Sequence, residues 1–241
     1  MYQLYFCIKK YYLFFCYFLA VLSVPSVAIA QDNQNEPDNH ERWYQVEMIV
    51  FARNDNAAQQ EVWPHNIKLA YPENLITLKT SEAGDSGAFT MLKPSERQLN
   101  AQAASIARNS GYSLVFHQAW RQMIYNKKTS ILINGGKTFN GHQELEGSID
   151  LSVAQYLKLQ TNLWLTQFSA ANNINDLGDS WPELPSIPGT EPSVDQPTDY
   201  LIKRIVKISQ QRSMRSQEVH YIDHPLLGII IKIIPYDAVN Q

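Results

Sequence analysis

The stretch Ile229-Ile230-Ile231-Lys232-Ile233-Ile234 constrains this chain more than any other. β-Branched side chains suit the pleated surface of a sheet, and a run so dense in isoleucine reads as a strand. Left on the edge of a sheet, such a run is a template for aggregation. It is therefore expected inside a sheet, with a partner on each side, and truncation here is expected to be costly. Two further stretches set the kind of sheet. Leu145, Gly147, Ile149 and Leu151 alternate with Glu146, Ser148 and Asp150. Leu157, Leu159, Leu163 and Leu165 alternate with Lys158, Gln160, Asn162 and Trp164. A period of two is the mark of half-buried antiparallel strands.

Other segments fit the same architecture. Trp43 to Phe51 is β-branched and aromatic and reads as a strand. So do Tyr112 to Gln122, Ile131 to Ile133, Tyr200 to Gln211, and Glu218 to Ile222. Asn134-Gly135-Gly136 reads as a turn that needs positive φ, and the following Lys137 lacks the spacing of a phosphate loop. One helix is expected over residues 95–109. Ser95-Glu96-Arg97-Gln98 matches a capping box, Leu99, Ala103, Ile106 and Ala107 share a face, and Gly111 can stop the helix. The predicted fold class is α+β: a largely antiparallel β-sheet of about seven strands with one packed helix. Residues 169–198 hold Pro182, Pro185, Pro188, Pro192 and Pro197 among polar residues, and are expected to be a flexible insertion in a single domain spanning 42–241.

The first thirty residues contain no Asp or Glu. Lys9 and Lys10 precede an apolar run from Tyr11 to Leu22, Pro25 breaks it, and Ala28-Ile29-Ala30 has the small-x-small pattern read by signal peptidase. The run is short for a membrane span, which needs roughly 20 apolar residues. Residues 1–30 thus read as a cleaved signal peptide, and the polar residues 31–41 as a disordered leader. Cleavage removes Cys7 and Cys16, the chain's two cysteines, so stability must come from the core without disulfides. It also leaves 18 basic against 23 acidic residues, which argues against general affinity for nucleic acid or anionic membranes.

Three clusters carry chemical potential. His220, Asp223 and His224 lie within five residues and include metal-ligating types, though a strand would point Asp223 away from the two histidines. The alternative is a turn fixed by Asp223 and His224 before the last strand. Arg212 and Arg215 can clamp a carboxylate, or bond an acidic neighbour such as Glu218. Trp120, with Gln118 and Gln122 on the same strand face, has the composition of a sugar site, or of a core tryptophan. No nucleophile elbow, His-Glu-x-x-His motif or catalytic cysteine is present in the sequence. A non-enzymatic role is therefore expected, with no cofactor and no bound metal. The competing readings are a metal-assisted hydrolase using His220, Asp223 and His224, and an adaptor that contacts only proteins.

Three stretches taken together resemble the CsiV family of periplasmic proteins. They are Trp43 to Phe51, His117-Gln118-Ala119-Trp120-Arg121-Gln122, and Arg212 to Tyr236. Within the last, Met214-Arg215-Ser216, His220-Tyr221-Ile222-Asp223-His224-Pro225-Leu226, Gly228 and Pro235-Tyr236 are the most characteristic. The resemblance implies a non-enzymatic peptidoglycan-binding protein of the periplasm that supports wall synthesis and cell shape. It also implies a link to a penicillin-binding protein and its outer-membrane lipoprotein activator. Ser213 stands where another basic residue is expected, which weakens a densely cationic reading of that segment.

The export signal yields a direct test. N-terminal sequencing of periplasmic material should read from Gln31; an intact Met1 would overturn the cleavage.

Overall fold

The strand Arg42–Arg53 (β1) is buried on both faces over its central eight residues, and the rest of the molecule is arranged around it. The structure, a computed structural model, describes residues 40–54, 63–78, 89–139, 141–170, 181–190 and 200–237. The expected export signal, and all but the last two residues of the expected leader, lie outside these ranges. Among the described residues, no helix is long and apolar enough to cross a membrane.

After β1 come Leu75–Thr77 (β2), Phe89–Met91 (β3), Tyr112–Ile124 (β4), Thr129–Leu132 (β5), Gly135–Phe139 (β6) and His142–Val153 (β7). Leu157–Ala170 (β8), Tyr200–Ile208 (β9), Gln211–Met214 (β10), Val219–Asp223 (β11) and Leu227–Pro235 (β12) follow. They form two sheets where the sequence suggested one. The first has the order β11-β12-β1-β4-β3; the second runs β10-β8-β7-β5-β2, with β6 also on β7 and β9 also on β8. All pairs are antiparallel except β2 with β5. The isoleucine run lies in β12 between β11 and β1, inside the sheet as its composition demands. The expected turn at Asn134-Gly135-Gly136 is mostly strand, although Gly136 does take a positive φ of 82°.

Period-two alternation sorts the side chains into layers. Tyr44, Val46, Met48 and Val50 of β1, with Trp120 of β4 and Ile229, Ile231 and Ile233 of β12, face inward. They share one core with Leu145, Ile149, Leu151, Leu159 and Leu163 of the second sheet. The other face of the first sheet carries the helix Asn100–Arg108 (α1), whose Leu99, Ala103 and Ile106 cover Ile49, Phe51 and Ile230. On the far face of the second sheet, Trp164 and Ile205 are covered by Ile67, Leu69 and Tyr71 from one loop and by Trp181 and Leu184 from another.

Most of the expected insertion, residues 171–180 and 191–198, lies outside the described residues, and the described part, 181–190, packs on this face. β8 runs to Ala170, and Leu184 is only 8% exposed against Trp164 and Ile205. Trp181 donates from Nε1 to the Lys203 carbonyl at 3.0 Å and lies 4.1 Å from the His65 ring. Prolines keep this segment out of the hydrogen-bonded ladder but do not keep its apolar side chains off the sheet.

The helix start is also corrected. Ser95 does not cap it: Pro94–Glu96 is a separate 3-10 turn, and α1 begins at Asn100 with no side-chain cap from Leu99. The cap comes from β1. Glu47, 2% exposed, accepts from Gln98 N at 2.6 Å and Leu99 N at 2.9 Å. His117 of β4 donates to the same carboxylate from Nε2 at 2.8 Å. The Leu99 amide is among the unpaired donors of the helix N-terminus and Gln98 N lies one residue before it, where a negative charge is favourable. Burial alone would raise the Glu47 pKa, but the bonds from His117, Leu99 and Gln98 hold it below its ordinary value of 4.5.

Two outcomes follow from this packing. Because Glu47 titrates below its unfolded value, its contribution is full above about pH 4.5 and is lost as pH falls through the depressed folded value. Glu47→Ala should cost about 3–5 kcal/mol in urea titrations at pH 7, and the difference from the parent should shrink in acid. Leu184→Ala should cost about 2 kcal/mol in the same assay, where a packing-free insertion would show no change.

Candidate functional site

β1 ends in Phe51, Ala52 and Arg53, and β12 runs antiparallel beside it with Gly228 opposite Phe51. A Cβ at position 228 would stand 2.3 Å from Phe51 Cζ, so only glycine leaves room for that ring to lie across β12. On the far side of β12, Tyr221 of β11 stacks parallel to Phe51, with centroids 6.5 Å apart and planes 5° apart. Tyr112, at the start of β4, meets the edge of Phe51 at 5.2 Å. The Arg53 guanidinium sits over both rings, 6.0 Å from Phe51 and 5.9 Å from Tyr112.

Charge closes this aromatic row. Arg53 donates to the Tyr221 hydroxyl and to the Asp223 carboxylate, and Tyr221 in turn donates to Asp223 Oδ1 at 2.7 Å. The hydrogen bond from Tyr221 holds the Asp223 carboxyl below its usual range, with Arg53 adding to the effect. The Tyr221 hydroxyl is pushed up by burial and by that same bond. Beside Arg53 lies a cleft of about 330 Å³ lined by Asn54, Asn109, Gly111 and Tyr112. Its amides are held in place. Asn54 Nδ2 donates to the Ser110 carbonyl at 3.1 Å and to Ser113 Oγ at 3.2 Å, and Asn109 Oδ1 accepts from Gly111 N at 2.9 Å.

The residues singled out from the sequence do not converge. Trp120 is 0% exposed and donates from Nε1 to Gln122 Oε1 at 2.6 Å; Gln122 is itself buried. Both fill the core between the sheets, and neither presents a surface to a sugar. Gln118 is half-buried and accepts from Arg97 at 2.8 Å, so it is tied to the chain leading into α1. The histidine cluster disperses. Asp223 turns to Arg53, His220 Nε2 meets the Arg215 carbonyl at 3.1 Å, and His224 packs 5.3 Å from the Trp63 ring. His224 Nδ1 also accepts from Leu226 N at 3.3 Å, which fixes the turn before β12. Among the described residues, no three His, Cys, Asp or Glu side chains gather where a metal could be held.

Arg212 and Arg215 remain at the surface, on β10 and the turn that follows it. Neither takes part in an ion pair among the described residues. The expected partner Glu218 instead lies 3.9 Å from His220. The segment joining β10 to β11 passes from the edge of the second sheet to the edge of the first. Arg212, Arg215, Tyr221 and Asp223 therefore all lie on one short stretch of chain. Arg53, Asn54, Asn109, Tyr112 and Tyr221 are not among the site residues expected from the sequence. One signal was available: Val219, Tyr221 and Asp223 alternate with His220 and Ile222, which gives β11 an outward face carrying a ring and a carboxylate.

A family model described as "Peptidoglycan-binding protein, CsiV" matches residues 15–236. The chain belongs to the CsiV family. No curated protein and no solved structure matches it. The matched span takes in every strand of both sheets, so membership covers the whole described fold and the aromatic row together.

Proposed function

We propose that the protein binds peptidoglycan in the periplasm without cleaving it, and in doing so supports wall synthesis and cell shape. The observation that carries this reading is the family match across residues 15–236. The charge arrangement suits it. Arg212 and Arg215 are exposed cations in no ion pair among the described residues, and stem peptides offer carboxylates. Charge-assisted bonds to such groups are worth roughly 1.5–3 kcal/mol each when well made. A binding role also agrees with the side chains of Arg53, Tyr221 and Asp223, which are engaged with one another beside the cleft. A penicillin-binding protein and its outer-membrane lipoprotein activator are the protein partners that this role brings with it.

A sacculus pull-down tests the reading. The parent should pellet with purified sacculi. Arg212→Ala/Arg215→Ala should stay folded and bind at least about tenfold more weakly, with a flatter response to salt, since exposed pairs are screened over about 8 Å at physiological ionic strength. A parent that stays in the supernatant would overturn peptidoglycan binding. A double variant that binds as well as the parent would move the site away from these arginines.

A further inference from the structure

Tyr221 is 43% exposed, yet its ring has little freedom. Phe51 supports it in a parallel stack, and its hydroxyl is held from two sides by Arg53 and Asp223. The support is itself fixed, because Phe51 lies in the space left by Gly228 and is met at its edge by Tyr112. An exposed aromatic surface locked in this way has already lost the entropy that a ligand would otherwise have to remove. The adjoining cleft of about 330 Å³, with Arg53, Asn54 and Asn109 in its lining, falls within the usual range of small-ligand sites, about 300–1,000 Å³.

Charge decides the class of ligand. Arg53 is paired with Asp223, so the charge of the aromatic row is balanced and gives a carboxylate no net attraction. An anionic ligand at this row would meet the Asp223 carboxylate, which already holds Arg53 and the Tyr221 hydroxyl. A neutral ring with one apolar face and polar substituents at its rim is not opposed in this way. Its apolar face lies on the tyrosine and its rim groups meet the fixed amides.

We infer that Tyr221 is the stacking platform for a neutral pyranose ring of the glycan strand, with the Arg53–Asn54–Asn109–Tyr112 cleft receiving the neighbouring polar substituents. This rests on the peptidoglycan reading above and assigns the sugar chain, as distinct from the stem peptide, to this surface. Two surfaces then share the polymer: the balanced aromatic row holds the glycan, and Arg212 with Arg215 face the peptide carboxylates.

The test uses the full mature chain with two probes, a β-1,4-linked N-acetylglucosamine tetramer and a synthetic stem pentapeptide. On titration of the parent, ring protons of the tetramer should shift upfield in proton NMR, as protons over an aromatic face do. Tyr221→Ala should weaken tetramer binding by about tenfold or more, the scale on which a single aromatic stacking contact acts. Tyr221→Phe keeps the ring but loses both hydroxyl bonds, and should fall between the two. Binding of the pentapeptide should be the same in parent and both variants. The inference is overturned if sacculi pellet the parent while the tetramer shows no upfield shift, or if Tyr221→Ala binds the tetramer undiminished. The NMR readout on the parent does not depend on either variant folding. Failure of the parent to pellet with sacculi would instead remove the underlying reading.

Discussion

A single carboxylate under the helix ties the first sheet together. Glu47 sits on the outer face of β1, buried to 2% exposure, and holds two backbone amides of the helix entry and the ring of His117 at once. Such a group is expensive to bury and expensive to lose, because each donor it satisfies would be stranded without it. Its neighbours along the same face, Ile49 and Phe51, are apolar and meet Leu99 and Ala103. Polar anchoring and apolar burial therefore act on one side of one strand, the first fixing where the helix begins and the second keeping it down. The end of α1 then sets Asn109 and Gly111 at the cleft, so the position of the candidate site traces back to that carboxylate.

The candidate surface is assembled from parts that are far apart in the chain and rigid in the fold. Phe51 and Arg53 end the central strand, Tyr112 opens β4, and Tyr221 and Asp223 belong to the edge strand β11. The shared support is the sheet between them, in which β12 separates β1 from β11 and contributes a glycine where the Phe51 ring must cross. The second sheet takes no part in this surface but buries the reverse side of β1 and β12 through the common core. It also carries β10, so the stretch from Gln211 to Asp223 links the two sheets while presenting arginines in its first half and a tyrosine–aspartate pair in its second.

Local chemistry was legible and partnership was not. The isoleucine run declared that it would be an inner strand, and the alternation in 145–165 declared antiparallel strands, because both follow from properties of adjacent residues. Alternation says in or out but does not say against what, so one sheet was read where two pack face to face. β2 and β3 are three residues each, too short for an alternation to register, and β6 opens on two glycines, which are poor strand formers. Ser95 looked like a cap because a carboxylate some fifty residues upstream was invisible to a local pattern. The tryptophan flanked by amides had the composition of a sugar site, but burial is a tertiary property, and Trp120 turned out to spend its N–H on Gln122 inside the core. Prolines in 181–188 spoke against ladder pairing and were silent about Trp181 and Leu184 packing on the sheet. Asp223 was noticed for the wrong company: its partner Arg53 lies 170 positions away.

The place of β12 has a consequence for how the molecule comes into being. Tyr44 pairs with Pro235 and Ala52 with Leu227, so the middle of the first sheet joins an early part of the chain to a late one. A ribosome delivers β1 long before the strand that must lie beside it, and β11 has no neighbour until β12 arrives between the two. Contacts of such wide separation form slowly and only once both ends are present. The first sheet therefore cannot close before β12 has been made, and a polypeptide that stays open that long is one that can be threaded through a narrow pore before it folds.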